Sequence, residues 1–263
     1  MSDYSTILVD KGEDKVAVVT LNRPEAMNSF NLAMMDDFRR FWHEVARDDG
    51  INAILLTAAP GRAFCTGVDV KDPGEILRAN DVWHAADPGE SLGPKGNRCW
   101  KPVVCAVHGL TAGGAFYWLN EADIIICSED ATFFDPHVTY GLTAVLESIG
   151  ATYRIPLGDV LRMALLGNDE RITAHTALRI GLVSEVVPND ELAARGREIA
   201  ALIAAKPPAA TQGTVRAIWE SLDLTRSAAI QRGLAYTQLG NPIGMAQVDR
   251  AAIMGRPKRH WLR

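Results

Sequence analysis

Apolar positions near the start of the 263-residue chain fall into two short β-rich runs. Thr6-Ile-Leu-Val9 and Val16-Ala-Val-Val-Thr-Leu21 flank the turn-forming cluster Lys11-Gly-Glu-Asp14, which predicts an opening hairpin. After the breaker Asn22-Arg-Pro24, residues Leu32, Met35, Phe38, Phe41, Trp42 and Val45 recur at three- and four-residue spacing before Gly50. That period predicts an amphipathic helix, with Asn31 as its N-cap. Ala53-Ile-Leu-Leu56 then reads as a buried strand. A Gly/Pro/Asp-rich excursion from about Asp72 to Gly96 interrupts the pattern, and Pro102-Val-Val-Cys-Ala-Val107 resumes it as another strand. A short apolar helix after Gly109–Ala115, the strand Ile124–Cys127 and the short strand Thr132–Phe134 follow. From Thr173 onward helices dominate: 174–180 between Thr173 as cap and Gly181 as stop, then 190–205 ended by Pro207-Pro208, then two or three more.

Composition narrows the class. An apolar share of 48% with 22% charged residues is globular usage, which excludes a disordered chain. Formal net charge is −5 with basic residues scattered among acids, so nucleic-acid binding is not expected. Cys65, Cys99, Cys105 and Cys127 form no CxxC pair, and the first residues carry no charged-then-apolar leader, which together predict a reducing, cytoplasmic setting. The apolar runs fall well short of the roughly 20 residues needed to span a bilayer, so no membrane anchoring is expected.

Two glycine-bearing junctions follow strands: Ala63-Phe-Cys-Thr-Gly-Val-Asp69 and Val107-His-Gly-Leu-Thr-Ala-Gly-Gly-Ala115. Where a strand turns into a helix, backbone N–H groups are left without partners in the helix, and strand ends of α/β sheets are where ligands sit. If the two junctions meet, a pair of amides forms a preorganised site for a negative oxygen. Either junction alone is as readily a tight turn or a close-packing point, and neither has the spacing of a dinucleotide loop.

With these residues in view, the chain resembles the crotonase (enoyl-CoA hydratase/isomerase) superfamily. Four segments carry the likeness in the family's order: Asn22-Arg-Pro-Glu-Ala-Met-Asn28, Phe64-Cys-Thr-Gly-Val-Asp69, the Val107–Ala115 turn, and Ile172-Thr-Ala with Ala177 and Gly181-Leu-Val183. The resemblance implies an α/β crotonase (ClpP-like) fold of repeated strand-strand-helix units over residues 1–195. It implies a C-terminal helical oligomerisation region over 196–263, and a homotrimer or homohexamer. It also implies an acyl-CoA thioester as substrate, with coenzyme A arriving as part of it and no cofactor held permanently. By position, the backbone amides of Val68 and Gly114 would be the oxyanion donors. Ala26, Thr66, Asp69, Val70 and, near the C-terminus, Lys258 would lie about the CoA moiety.

The acid/base residues depart from the family pattern. A hydratase of this family places one glutamate near the start of the helix after the second turn and another after the next short strand; here those positions are Tyr117 and His137. His137 titrates near neutrality and Tyr117 can donate a hydrogen bond or proton; each can equally do no more than fill a pocket. Asp135 is placed to orient the His137 ring if Pro136 leaves the chain straight. Glu147, in Gly141-Leu-Thr-Ala-Val-Leu-Glu-Ser-Ile-Gly150, is either an acid with a raised pKa among apolar neighbours or a solvent-facing helix residue. Asp69 reads as a helix-start residue that shapes the CoA pocket. The leading reading is a divergent enoyl-CoA hydratase or isomerase acting through a thioester enolate. An acyl-CoA decarboxylase or carbon–carbon bond hydrolase on the same fold, and a non-catalytic acyl-CoA binder, remain as alternatives.

Overall fold

The computed structural model describes residues 4–72, 83 and 87–255. Strands β1 (Ile7–Lys11) and β2 (Val16–Leu21) make the expected antiparallel hairpin. Helix α1 (Leu32–Val45) follows, and Asn31 caps it by accepting the Met34 amide at 3.1 Å. Its apolar stripe buries Phe38, Phe41 and Trp42. Strand pairs then alternate with helices: β3 (Ala53–Ala58) and β4 (Ala63–Cys65) with α2 (Gly89–Leu92), β5 (Val103–Val107) and β6 (Leu110–Ala112) with α3 (Phe116–Glu121). The third pair is β7 (Ile124–Ser128) and β8 (Thr132–Phe134), followed by α4 (Leu146–Ala151) and α5 (Leu157–Leu166). Next come β9 (Ile172–Thr173), α6 (Ala174–Ile180), β10 (Glu185–Val187), α7 (Leu192–Ala204), α8 (Pro208–Ser221), α9 (Arg226–Ala246) and α10 (Arg250–Met254).

In each pair the first strand joins one sheet and the second joins another. The larger sheet runs β1-β2-β3-β5-β7-β10, parallel from β2 onward, and the smaller runs β4-β6-β8-β9. Strands β1, β2, β3, β5 and β7 of the larger sheet were legible in the apolar runs, while β10 was not, since the chain from Thr173 onward reads as helical. Strands β4 and β6, at three residues each, were read only as turns, because so short a stretch carries no period of its own.

The chain divides after Ala205 into two compact units. The boundary expected after residue 195 falls inside α7, which packs on the larger sheet: a methyl group on Gly196 would lie 2.9 Å from Leu55 Cδ1 and 3.2 Å from Ala106 Cβ. This helix is therefore part of the first unit. In the second unit α8 and α9 pack along each other, with Glu220 bonded to Arg216 at 2.8 Å and to the Tyr236 hydroxyl at 2.6 Å. Among the described residues no helix is long and apolar enough to cross a membrane.

Asp37, on α1, ties the N-terminal segment to the helix. Its Oδ2 accepts the Ser5 and Thr6 amides, both at 2.8 Å, and the Thr6 hydroxyl at 2.8 Å, while Arg40 pairs with Oδ1. Burial opposes ionisation, but the Thr6, Ser5 and Arg40 hydrogen bonds outweigh it and hold the pKa below the ordinary carboxylate value. A depressed folded-state pKa contributes stability above the unfolded value and loses it as pH falls through the folded one. Asp37→Ala is expected to lower unfolding free energy in urea by about 3 kcal/mol at neutral pH, because it strands buried donors. The difference between the two proteins should shrink as pH is taken below about 4.

Candidate active site

The segment 22–30 is folded against the first glycine turn by its own polar residues. Asn28, at φ 53°, accepts the Arg23 amide at 2.9 Å and donates to the Ala63 carbonyl at 3.0 Å. Asparagine tolerates this left-handed conformation better than most residues. Arg23 donates to the Ser29 carbonyl at 2.6 Å and to Asp69 Oδ2 at 2.8 Å. Asp69 is buried, and its Oδ1 also accepts the Lys71 amide at 3.0 Å. Burial would raise its pKa, but Arg23 and the turn amides lower it overall. Its visible work is to lock the 69–72 turn to Arg23.

Phe30 pairs with this turn as a strand would: its N–H donates to the Gly67 carbonyl at 2.9 Å, and the Asp69 N–H donates to the Phe30 carbonyl at 2.8 Å. No peptide here is cis, so the Val68 N–H points opposite to the Gly67 carbonyl, away from Phe30. At the second turn the Gly113 carbonyl accepts the Phe116 amide. By the same geometry the Gly114 N–H points out of the N-terminal end of that short helix. The two turns touch backbone to backbone: a methyl on Gly67 would lie 3.1 Å from the Gly114 nitrogen, and one on Gly114 would lie 3.5 Å from Gly67 Cα.

The titratable residues lie beside this junction. A methyl on Gly113 would stand 3.6 Å from His137 Cε1, so the imidazole borders the second turn. Its Nδ1 is 2.5 Å from Asp135 Oδ1, and its Nε2 is 3.9 Å from Glu147 Oε1. Asp135 does orient the ring, but through a turn: Pro136 has helical angles, and the His137 amide donates to the same Asp135 oxygen at 3.1 Å. Ser148 donates to the other Asp135 oxygen at 3.2 Å. Asp135 is fully buried, and its hydrogen bond raises the His137 pKa against the opposing effect of burial.

Glu147 is 7% exposed, which decides against a solvent-facing helix residue, and burial raises its pKa. Tyr117, on α3, is also buried; its ring meets Phe30 edge-on with centroids 6.2 Å apart. Burial raises the Tyr117 pKa first, and the nearby Glu147 and Asp87 carboxylates raise it further. Asp87 escaped the sequence reading because it lies in the 72–96 excursion, where no periodicity ties a residue to the site.

Val68, Gly114, Tyr117, His137 and Glu147 are thus gathered around one pair of turns. Ala26 and Thr66 are half-buried, on the 24–26 turn and next to Gly67; Val70 is 74% exposed on the far side of Asp69. Lys258 lies outside the described residues.

Comparison with known proteins agrees with this architecture. The sequence profile of the enoyl-CoA hydratase/isomerase family matches residues 11–256. The crystal structure of an enoyl-CoA hydratase/isomerase from Mycobacterium paratuberculosis superposes with a TM-score of 0.81 at 35% identity, covering 95% of this chain and 93% of that one. The chain belongs to the enoyl-CoA hydratase/isomerase family and has the crotonase fold. An (E)-benzylidenesuccinyl-CoA hydratase of Thauera aromatica is 36% identical over 225 residues, covering 85% of each chain. A short-chain-enoyl-CoA hydratase of Clostridium acetobutylicum is 32% identical over 82% of each.

Gly67 has φ +86°, a backbone conformation costing a residue with a side chain roughly 1–2 kcal/mol. Gly67→Ala is expected to destabilise the protein by that amount in urea denaturation. The new methyl presses on Gly114, so the backbone amide resonances of Val68 and Gly114 should shift together in a ¹⁵N correlation spectrum.

Proposed function

We propose that the protein is an acyl-CoA hydratase in which a His137–Glu147 pair does the work of the family's two glutamates. The observation that carries this reading is the run Asp135, His137, Glu147 laid beside the Gly67/Gly114 junction. The Val68 and Gly114 amides hold the thioester carbonyl oxygen and stabilise the negative charge that grows there as an enolate forms; one such donor is worth roughly 3–4 kcal/mol in the transition state. Coenzyme A enters as part of the substrate, over Ala26, Thr66, Asp69 and Val70, with Lys258 near its phosphates, and no further cofactor is needed.

In this reading His137 and Glu147 divide the two proton roles. His137 borders the turn bearing Gly114, so it faces the α-carbon next to the carbonyl. Glu147 Oε1 lies 3.9 Å from its Nε2, and in this reading it serves the β-carbon. The Glu147 carboxylate takes a proton from water as the oxygen bonds to the β-carbon and the enolate forms. The His137 imidazolium, kept charged by Asp135, then gives its Nε2 proton to the α-carbon. Passage of the proton from Glu147 to His137 restores the pair, and the net change is addition of one water.

The sequence of each partner's titration sets the pH profile. Activity should fall on the acid side as Glu147 protonates, at a pH above the ordinary carboxylate range because its pKa is raised. It should fall on the alkaline side as His137 loses its proton, above the ordinary imidazole range for the same reason. With enoyl-CoA thioesters in D₂O, mass spectrometry should find products gaining D₂O. Glu147→Gln and His137→Gln should each lower kcat by ~10²–10⁴ while leaving the fold intact. Carbon dioxide release or chain cleavage instead of hydration would move the assignment to a decarboxylase or carbon–carbon bond hydrolase. Tight thioester binding without turnover or α-deuterium exchange would leave a non-catalytic binder.

Self-association into trimers or hexamers belongs to the same reading. Leu157, Leu161 and Leu165 are 61%, 48% and 68% exposed at four-residue spacing along α5, and an apolar stripe of that kind is stabilised by cover. Light scattering on a sizing column should give three or six times the chain mass, and Leu161→Glu should lower it.

A further inference from the structure

The fully buried Asp135 carboxylate is shared between two segments. Its Oδ1 accepts the His137 amide at 3.1 Å and lies 2.5 Å from His137 Nδ1, while its Oδ2 accepts the Ser148 hydroxyl at 3.2 Å. An ionised carboxylate only accepts, so Nδ1 carries the proton of the ring contact and Nε2 is the nitrogen turned to Glu147. Ser148 is buried and follows Glu147 on α4, whereas Leu146 and Ile149 on either side of the two are exposed. This inward pair meets both members of the Asp135–His137 contact: Glu147 faces the imidazole and Ser148 the carboxylate. Helix α4 also has a hold that does not pass through Ser148. Asn120, on α3, donates its Nδ2 to the Glu147 carbonyl at 2.8 Å, and a methyl on Gly150 would collide with the same nitrogen. The Ser148 hydroxyl is therefore not needed to keep the helix in place.

We infer that Ser148 is a positioning residue of this site that acts on His137 through Asp135: its hydroxyl occupies Oδ2 and so limits how much of the carboxylate's charge reaches the imidazole through Oδ1. A donor on one carboxylate oxygen stabilises the anion and leaves the other oxygen a weaker acceptor. The consequence for turnover rests on the proposed role of His137 as proton donor. The charged groups facing the imidazole are Asp135 from its own segment and Glu147 from α4. Helix α5 and the 167–169 turn, which pack on residues 137–140, bring Asp159, Arg162 and Asp169, and Arg162 is paired with Glu170 at 2.6 Å. The Gly113 turn on the Cε1 side of the ring carries no charge.

Two variants give opposite signs. Ser148→Ala removes the hydroxyl and returns the carboxylate's charge to the ring, which favours the imidazolium; Asp135→Asn removes that charge and disfavours it. His137 can be followed without turnover by its ring ¹⁵N resonances, assigned by their loss in His137→Gln. The expected result is a titration midpoint about half a pH unit or more higher in Ser148→Ala, and lower in Asp135→Asn, than in the parent protein. Ser148→Cys, close in size but a weaker donor, should fall between Ser148→Ala and the parent, which guards against a packing defect in the alanine variant. Repeating the series with Glu147→Gln throughout takes the glutamate's own ionisation out of the curves and should preserve both signs. The alkaline limb of activity should move up with the midpoint in Ser148→Ala. An unchanged or lowered midpoint in Ser148→Ala would overturn the inference. A raised midpoint with an unmoved alkaline limb would uphold it and sink the assignment of His137 to the reaction.

Discussion

The contact on which the site depends is the meeting of two backbones at Gly67 and Gly114. A side chain has no room on Gly114 and would be tight on Gly67. A methyl on Gly114 would lie 2.4 Å from Phe30 Cε1, and Phe30 is itself bonded through its backbone to both sides of Val68. Close packing of this kind turns a soft loop into a fixed object, because moving one turn means moving the ring and the other turn with it. The polar residues of 22–30 extend the same rigidity outward: Asn28 holds Ala63, and Arg23 holds Asp69. The result is a pair of amides whose direction is set by the chain's own peptide geometry, and such preorganisation is what lets dipoles stabilise charge without rearranging.

Around that rigid point the charges are arranged less symmetrically. Asp135, Glu147 and Asp87 bring three carboxylates to the neighbourhood of one imidazole and one phenol. Asp135 is buried and satisfied by His137 and Ser148, so its charge is spent on the ring it holds. Glu147 is buried with the His137 imidazole 3.9 Å away, beyond a direct hydrogen bond and within the span of one bridging water. Burial pushes the glutamate pKa up, and the aspartate pushes the histidine pKa up.

The fold was legible wherever a long element carried its own period. The hairpin, α1 with its Asn31 cap, and α6 between Thr173 and Gly181 follow from spacing and capping chemistry alone. All of the larger sheet but β10 follows from apolar runs too rich to be surface. What escaped were the three-residue strands β4 and β6 and the attachment of α7 to the sheet, since both are fixed by partners distant in the chain. The site divides the same way. Gly67 and Gly114 stand out in glycine turns after strands, the resemblance singled out Tyr117 and His137, and Glu147 stands out as a lone charge in an apolar stretch, whereas Asp87 lies in a segment whose sequence has no pattern to place it.

Taken alone, the sequence carried motifs resembling the crotonase superfamily, which the family match bears out, and it determined the hairpin, the capped helices and the buried strands. Local chemistry suffices for that, because capping, turn formation and hydrophobic periodicity act over a few residues. Only the tertiary structure decided that Glu147 is buried, that Pro136 turns the chain so Asp135 reaches His137, and that Tyr117 is buried near Glu147 and Asp87. Burial and through-space electrostatics depend on segments tens of residues apart in sequence, and no local pattern records which of them will meet.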